Sequence, residues 1–247
     1  MDIILAMKNV NAGYGRINVL SGLSLRVERG ETLGVIGPNG SGKTTMINAL
    51  SGLIRPTRGV IQFEGRDITR LTPDARCRLG IGRTFQVPRP FERMKVFENV
   101  LTAAAFGNGG GKRDNWKRVE EALALAGLED RKDLPAGELT LLDRKRLEIA
   151  RAVGSGPSLL LLDEIAAGLT GEEVRVILSI VAELKKQGLT IIWIEHIIET
   201  MREAADRLIC MAEGRSVVSG PPDEVLRSEE VIRLYLGTAE ESQDVVN

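Results

Sequence analysis

The sequence predicts an α/β fold built on buried parallel strands, and three observations carry that prediction. The apolar run at residues 33–36 leads directly into Gly37-Pro38-Asn39-Gly40-Ser41-Gly42-Lys43-Thr44, a complete G-x-x-x-x-G-K-[ST] phosphate loop. Such a loop needs a strand to feed it and a helix to leave it, because backbone N–H groups and the helix N-terminus, with about +0.5 charge, cradle phosphate together. A second apolar run, Leu159-Leu160-Leu161-Leu162, ends in Asp163-Glu164 and reads as a strand buried on both faces. Thirdly, a helical pattern over residues 172–187 separates that strand from another, Thr190-Ile191-Ile192-Trp193-Ile194. Strands alternating with helices imply a parallel sheet.

The elements follow in order. Residues 4–10, 19–27, 32–36 and 60–63 read as strands, divided by Gly-containing turns at residues 12–15 and 28–30. A helix over residues 43–50 stops at Ser51-Gly52. From Thr72 to Gly156 the pattern is mainly helical, with Pro73 at a helix start and apolar periodicity over residues 96–106 and 119–126. The later part of this stretch reads as an inserted helical subdomain. Gly-Asn-Gly-Gly-Gly at residues 107–111 sustains neither regular structure and is expected to be a flexible joint. Residues 208–211 and 216–219 read as short strands, and residues 222–226 and 229–236 as helices. Gly237 is expected to end the last helix, ahead of a loose polar tail to Asn247.

Composition narrows the function class. With 247 residues, 43% of them hydrophobic, the chain is long enough to bury a sizeable core. A formal charge of -1 argues against a surface that holds nucleic acid by broad phosphate neutralisation. No apolar stretch approaches the ~18 residues that cross a bilayer, and Met1-Asp2-Ile3 lacks a cationic signal region. The expected location is cytosolic, or peripheral on the cytosolic side of a membrane. Cys77 and Cys210 match no metal or redox spacing and read as reduced structural thiols.

Chemistry concentrates at strand ends. In the phosphate loop, Lys43 is placed to reach the β- and γ-phosphates and Thr44 to hold Mg²⁺; Gly40 and Gly42 admit oxygen atoms without a Cβ in the way. Thr45 completes the expected cradle. Asp163 and Glu164 lie at the C-terminal edge of a strand, where open α/β folds bind ligands. Asp163 is expected in the Mg²⁺ shell, and Glu164 is expected to orient or deprotonate the attacking water. The same pair also suits a plain helix start, where acids complement the macrodipole. His196, which follows the strand at residues 190–194, suits a sensor of the terminal phosphate and equally suits a capping or core histidine. Gln86, ahead of Pro88 and Pro90, has an amide for Mg²⁺ or the lytic water. Tyr14, between two glycines, offers an aromatic platform for adenine.

The order Tyr14, residues 37–44, Gln86, a signature helix starting near Leu139, Asp163-Glu164 and His196 resembles the ATP-binding cassette, the nucleotide-binding subunit of ABC transporters, over nearly the whole chain. Arg83-Thr84-Phe85-Gln86, residues 146–151, Ala166-Ala167-Gly168-Leu169 and residues 231–237 look most like ATPases of branched-chain amino acid importers; urea and lipopolysaccharide transport ATPases look similar. The resemblance implies a RecA-like P-loop NTPase core with an antiparallel β subdomain over residues 1–86 and 156–247, and a helical signature subdomain over residues 87–155. It further implies ATP and Mg²⁺, a head-to-tail second cassette that is identical or merely related, integral membrane permeases and, indirectly, a substrate-binding protein. Residues 87–94 resemble the surface that receives a short cytoplasmic helix of the membrane subunit, for which exposed aromatics and prolines are suited.

The sequence departs from that family at the signature, usually Leu-Ser-Gly-Gly-Gln and here Leu139-Thr140-Leu141-Leu142-Asp143. Thr140 keeps a hydroxyl, and the N–H groups of Leu141 and Leu142 remain available to a phosphate held by the opposite subunit. Thr140-x-x-Asp143 is also a capping-box pattern. Both roles are expected together, with Asp143 turned back toward its own chain; a cap with no contact to the partner is the simpler alternative. Ile165, Thr170 and Ile197 are further departures, and none removes a group essential to hydrolysis. A soluble ABC ATPase acting on ribosomes or DNA, and a phosphate-loop kinase or transferase, stand as rivals from other classes.

Overall fold

The computed structural model describes residues 2–108 and 112–241. Two compact units form, residues 1–71 with 192–247 and residues 72–191, each with its own pattern of buried apolar residues. The first unit opens with β1 (Ile3–Tyr14) and β2 (Ile17–Glu28), an antiparallel hairpin. Its turn falls at Gly15-Arg16, later than residues 12–15. Val10 and Ala12 are fully buried, and their burial carries the ladder on through Gly13 against that glycine's turn preference. β3 (Thr32–Ile36) is buried at every position and delivers the chain to the loop that precedes α1 (Lys43–Ser51). β4 (Arg58–Phe63) and β5 (Arg66–Asp67) complete an antiparallel sheet ordered β2-β1-β4-β5 among the described residues. In β4, Ile61 and Phe63 are buried while Gln62 between them is not, as the two-residue period of a strand requires.

The second unit begins at α2 (Pro73–Leu79), with Pro73 in its first turn, followed by β6 (Ile81–Arg83). Three helices come next, α3 (Val96–Phe106), α4 (Lys112–Ala126) and α5 (Leu141–Gly154). They share a core that includes Val96, Val100, Val119, Leu123 and Leu147, all buried to within 1%. Each such side chain contributes roughly 1.5–3 kcal/mol on leaving water, which sustains helices that local propensity alone would not. The start of the expected joint is tied down, because the Asn108 N–H donates to the Ser155 carbonyl at 2.7 Å; residues 109–111 lie outside the described residues. β7 (Leu159–Asp163) pairs parallel to β6, with Arg83 opposite Leu161, so that residues 84–86 and 163–164 leave the same strand ends. α6 (Gly171–Lys186) follows, capped by a reciprocal Thr170–Glu173 box.

β8 (Thr190–Ile194), wholly buried, carries the chain back into the first unit. There α7 (Ile198–Ala204), β9 (Arg207–Ala212), β10 (Arg215–Gly220), α8 (Pro222–Leu226) and α9 (Glu229–Glu241) complete the chain. β9 runs parallel to β3, with Ile36 opposite Cys210, and β10 returns antiparallel to β9. Contrary to expectation, α9 runs through Gly237. An interior glycine costs only about 1 kcal/mol relative to alanine, too little to stop a helix anchored by buried Val231. The expected tail at residues 242–247 lies outside the described residues. Both cysteines are free thiols, and burial pushes Cys210 up to about 11, so it stays protonated at neutral pH.

Candidate functional site

The phosphate loop takes its shape from backbone that side chains would obstruct. Gly37 has a φ of 145°, and a Cβ there would sit 2.2 Å from the carbonyl oxygen of Met211 on β9. Gly42, at a φ of 101°, is the N-cap of α1, leaving the first N–H groups of that helix with no side-chain cap. Lys43 is buried, and its Nζ donates to the carbonyls of Gly37 at 2.7 Å and Pro38 at 3.0 Å. The ammonium therefore rests on the loop's own oxygens. A phosphate group fits this arrangement, since a helix start with no side-chain cap and a lysine ammonium lie on one turn. Asn39, Gly40 and Thr44 are exposed, whereas Ser41 and Thr45 are buried. Tyr14 is half exposed, and its hydroxyl accepts from Asn48 Nδ2 of α1 at 2.8 Å. That bond fixes the ring on the helix that the loop enters. In the same unit, His196 is exposed just past β8, and its backbone N–H donates to Glu195, a carboxylate buried to 1% that also receives the Trp193 indole N–H.

The second unit assembles Gln86, Asp163 and Glu164. Gln86 Nε2 donates to Glu164 Oε2 at 2.5 Å, and Arg83 Nη2 donates to Asp163 Oδ2 at 3.1 Å. The two carboxylates thus have different settings. Asp163 is buried beside a guanidinium that also lies over the Phe85 ring, while Glu164 is half-buried with its side chain on an exposed amide. Glu164 has a φ of 48°, a left-handed conformation that costs a residue with a Cβ about 1–2 kcal/mol. Lys145 of α5 offsets that strain. Exposed to only 2%, it donates from Nζ to the Gln86 carbonyl at 2.7 Å and the Glu164 carbonyl at 3.3 Å. Sequence reasoning missed both Arg83 and Lys145. A lysine on a helix reads as solvated, and nothing in one sequence marks it as buried.

The altered signature turn precedes α5. Thr140 Oγ1 accepts from the Asp143 N–H at 3.3 Å and donates to Asp143 Oδ2 at 2.8 Å. The cap is therefore one-sided on the backbone, because Asp143 takes the threonine hydroxyl where a full capping box takes the N-cap N–H. Asp143 is buried and forms ion pairs with Arg131 and Arg146, turned into its own unit as the sequence suggests. Burial, and then the nearby Arg131 charge, lowers the Arg146 pKa below its ordinary value. Arg144 donates to the carbonyls of Gly137 at 2.7 Å and Leu139 at 3.0 Å. Leu141 is 47% exposed, a large apolar side chain where the family pattern has glycine.

Residues 87–94 form an exposed surface with a rigid underside. Val87 and Phe91 are exposed, while Pro88 and Pro90 are half-buried. Beneath them the fully buried Asn99 accepts from the Phe91 N–H at 2.8 Å, and buried Glu148 accepts from the Arg89 N–H at 3.0 Å. Among the described residues no cluster of three or more His, Cys, Asp or Glu forms a ready metal site. Mg²⁺ does not demand one, since it binds through one or two protein oxygens plus phosphate and water. In the first unit exposed Thr44, and in the second unit Gln86 and Asp163, each carry a hard oxygen of the kind it takes. No helix of the described residues is long and apolar enough to cross a membrane.

The profile of the family described as "ABC transporter" matches residues 20–167. The chain is 36% identical to the probable branched-chain amino acid transport ATP-binding protein LivG of Archaeoglobus fulgidus, over 95% of each chain. It is 35% identical to the high-affinity branched-chain amino acid transport ATP-binding protein LivG of Salmonella typhimurium, over 96% of this chain and 98% of that one. Among solved structures, the ADP conformation of an ATP-binding cassette of an ABC transporter superposes with a TM-score of 0.85 at 32% identity, covering 96% of this chain and all of that one. A dimeric bacterial ABC transporter cassette superposes with a TM-score of 0.79 at 26% identity, over 88% of this chain and 98% of that one.

Proposed function

Because the chain belongs to the ABC transporter family, we propose that it is the Mg²⁺-dependent ATP-hydrolysing subunit of an importer of branched-chain amino acids. The family supplies ATP binding, and the relatives' names supply the cargo. The observation that carries hydrolysis is Glu164, held in a strained conformation at the end of β7 by Gln86 and Lys145. Strain retained by surrounding hydrogen bonds is characteristic of working sites.

In this reading residues 37–45 hold the phosphates and Tyr14 supports adenine. Lys43 moves its donors from the carbonyls of Gly37 and Pro38 to the β- and γ-phosphate oxygens. Thr44, Gln86 and Asp163 would hold Mg²⁺, which when bound would supply positive charge against that developing on the phosphoryl group. Glu164 accepts a proton from the attacking water while the new P–O bond forms and the bond to ADP breaks. His196 donates toward the γ-phosphate. The turn that Thr140 caps faces the nucleotide of a second cassette bound head to tail, identical or related, and offers it the backbone N–H groups of Leu141 and Leu142. Residues 87–94 receive a cytoplasmic helix of the permease, placing the chain peripherally on the cytoplasmic face of the membrane. A substrate-binding protein delivers the cargo on the far side.

Glu164→Gln tests the reading. It should leave ATP bound and slow turnover by roughly 10²–10⁴-fold, the usual contribution of a general base. Hydrolysis at a near-normal rate would remove Glu164 from that role. Co-purification with two membrane subunits, and leucine uptake that requires this chain, test the cargo; a soluble complex with ribosomes or DNA would reject the transporter.

A further inference from the structure

Gly37, the first residue of the phosphate loop, is held on three sides. Its carbonyl accepts from Lys43 Nζ at 2.7 Å, and its Cα lies so close to β9 that a Cβ would meet the Met211 carbonyl at 2.2 Å. Its N–H donates to the hydroxyl oxygen of Tyr235 at 3.0 Å. Tyr235 belongs to α9, an element with no part in the strand-loop-helix that makes a phosphate site. Val231, Leu234 and Tyr235, at helical spacing i, i+3 and i+4, form the face of α9 turned from solvent, while Ile232 and Arg233 are exposed. Burial pushes the Tyr235 phenol above its ordinary pKa, so a neutral hydroxyl faces the loop.

We propose that Tyr235 is a positioning residue for ATP, its hydroxyl oxygen pinning the Gly37 amide so that the last helix fixes the entrance of the phosphate loop. The inference rests on residues 37–45 being the ATP site. Gly37 has no Cβ to limit its rotation, so the loop's order depends on what holds the two ends of this residue. Lys43 holds the carbonyl end, but that donor is wanted by the phosphates. When Lys43 turns to ATP, the bond to Tyr235 remains, beside the packing against β9, to keep the Gly37 amide in place and the following N–H groups aimed. Without it the loop must be ordered during binding, and affinity falls by the cost of that ordering. The chemistry of the bound ATP is untouched, so turnover once ATP is bound should not change.

Tyr235→Phe keeps the ring and removes only the hydroxyl. One net hydrogen bond corresponds to roughly a two- to tenfold change in equilibrium. The full-length variant should raise the Kd and KM for ATP by that factor and keep kcat within about twofold. Amide exchange at Gly37 in nucleotide-free protein should quicken in step. Arg233→Ala, on the exposed face of the same helix, should change neither. ATP affinity that stays at the wild-type value overturns the proposal, even if Gly37 exchange quickens, because the bond would then serve structure alone. An affinity loss with Gly37 exchange unchanged overturns it too, since the effect would reach ATP by another route. If the wild-type chain fails to bind ATP in the same titration, the reading of the loop falls and this inference falls with it.

Discussion

The loop at residues 37–44 and the turn at residues 139–143 each open a helix and each have a basic side chain bonded to their own carbonyls. Lys43 takes those of Gly37 and Pro38, and Arg144 takes those of Gly137 and Leu139. They differ in what else holds them. The loop owes its form to glycines at positive φ, and its helix start has no side-chain cap. The turn is closed by Thr140 and by a buried Asp143 between Arg131 and Arg146. A cradle for an anion must leave a helix start without a side-chain cap and keep a cation at hand; the loop does both. The turn has committed its side-chain donors internally, so an anion that meets it finds mainly the backbone of Leu141 and Leu142.

The sharpest way to break the comparison is at the loop's cation. Lys43→Ala removes both the loop's internal ties and the charge offered to phosphate. Hydrogen bonds to charged groups contribute roughly 1.5–3 kcal/mol each, so ATP affinity should fall by about 100-fold or more. Titration with a fluorescent ATP analogue checks this, and an unchanged Kd would remove residues 37–44 from ATP binding.

Much of this contrast was readable in the chain, for local reasons. The loop lies between a strand and a helix whose apolar patterns are continuous, and Thr140-x-x-Asp143 spans a single helical turn. Strands β3 and β8 fall where the apolar runs place them. What could not be read is which side chains meet across long separations. Gln86 and Glu164 are 78 residues apart, Arg83 and Asp163 80, and Tyr235 and Gly37 198. Such pairs are set by which strands become neighbours and by helix placement, and a single sequence encodes neither in a local period. For the same reason the helix stop at Gly237 misled, since the propensity of one residue yields to packing along the whole helix face.

Next in size is the removal of the turn's buried charge. Asp143→Ala leaves Arg146, 20% exposed, close to Arg131 with no carboxylate between them. Breaking a buried pair costs up to about 3–5 kcal/mol, but Arg131 is 44% exposed and turns readily to water, so about 2–3 kcal/mol is expected. At roughly 2–4 °C per kcal/mol for a chain of this size, the melting temperature should drop by about 4–12 °C. ATP affinity of the isolated chain should hold, because this turn does not form the chain's own phosphate cradle. A variant that melts like the wild type would mean that the ion pairs contribute nothing and that the turn's form lies in its backbone, as the loop's does.

The smallest effect belongs to Thr140→Ala, and it decides how far the two helix starts differ in function. The threonine hydroxyl caps the Asp143 N–H through a long 3.3 Å bond and gives its proton to the Asp143 carboxylate at 2.8 Å. Loss of a cap of this kind costs about 1 kcal/mol, or roughly 2–4 °C in melting temperature. The hydroxyl proton is already engaged, so ATP-dependent pairing of cassettes, measured by sedimentation of the Glu164→Gln background, should change less than threefold, about 0.6 kcal/mol. A loss of pairing that exceeds the loss of stability would show that the hydroxyl turns outward when ATP arrives. The turn would then share the loop's habit of exchanging an internal partner for phosphate, and the distinction between them would reduce to the glycines.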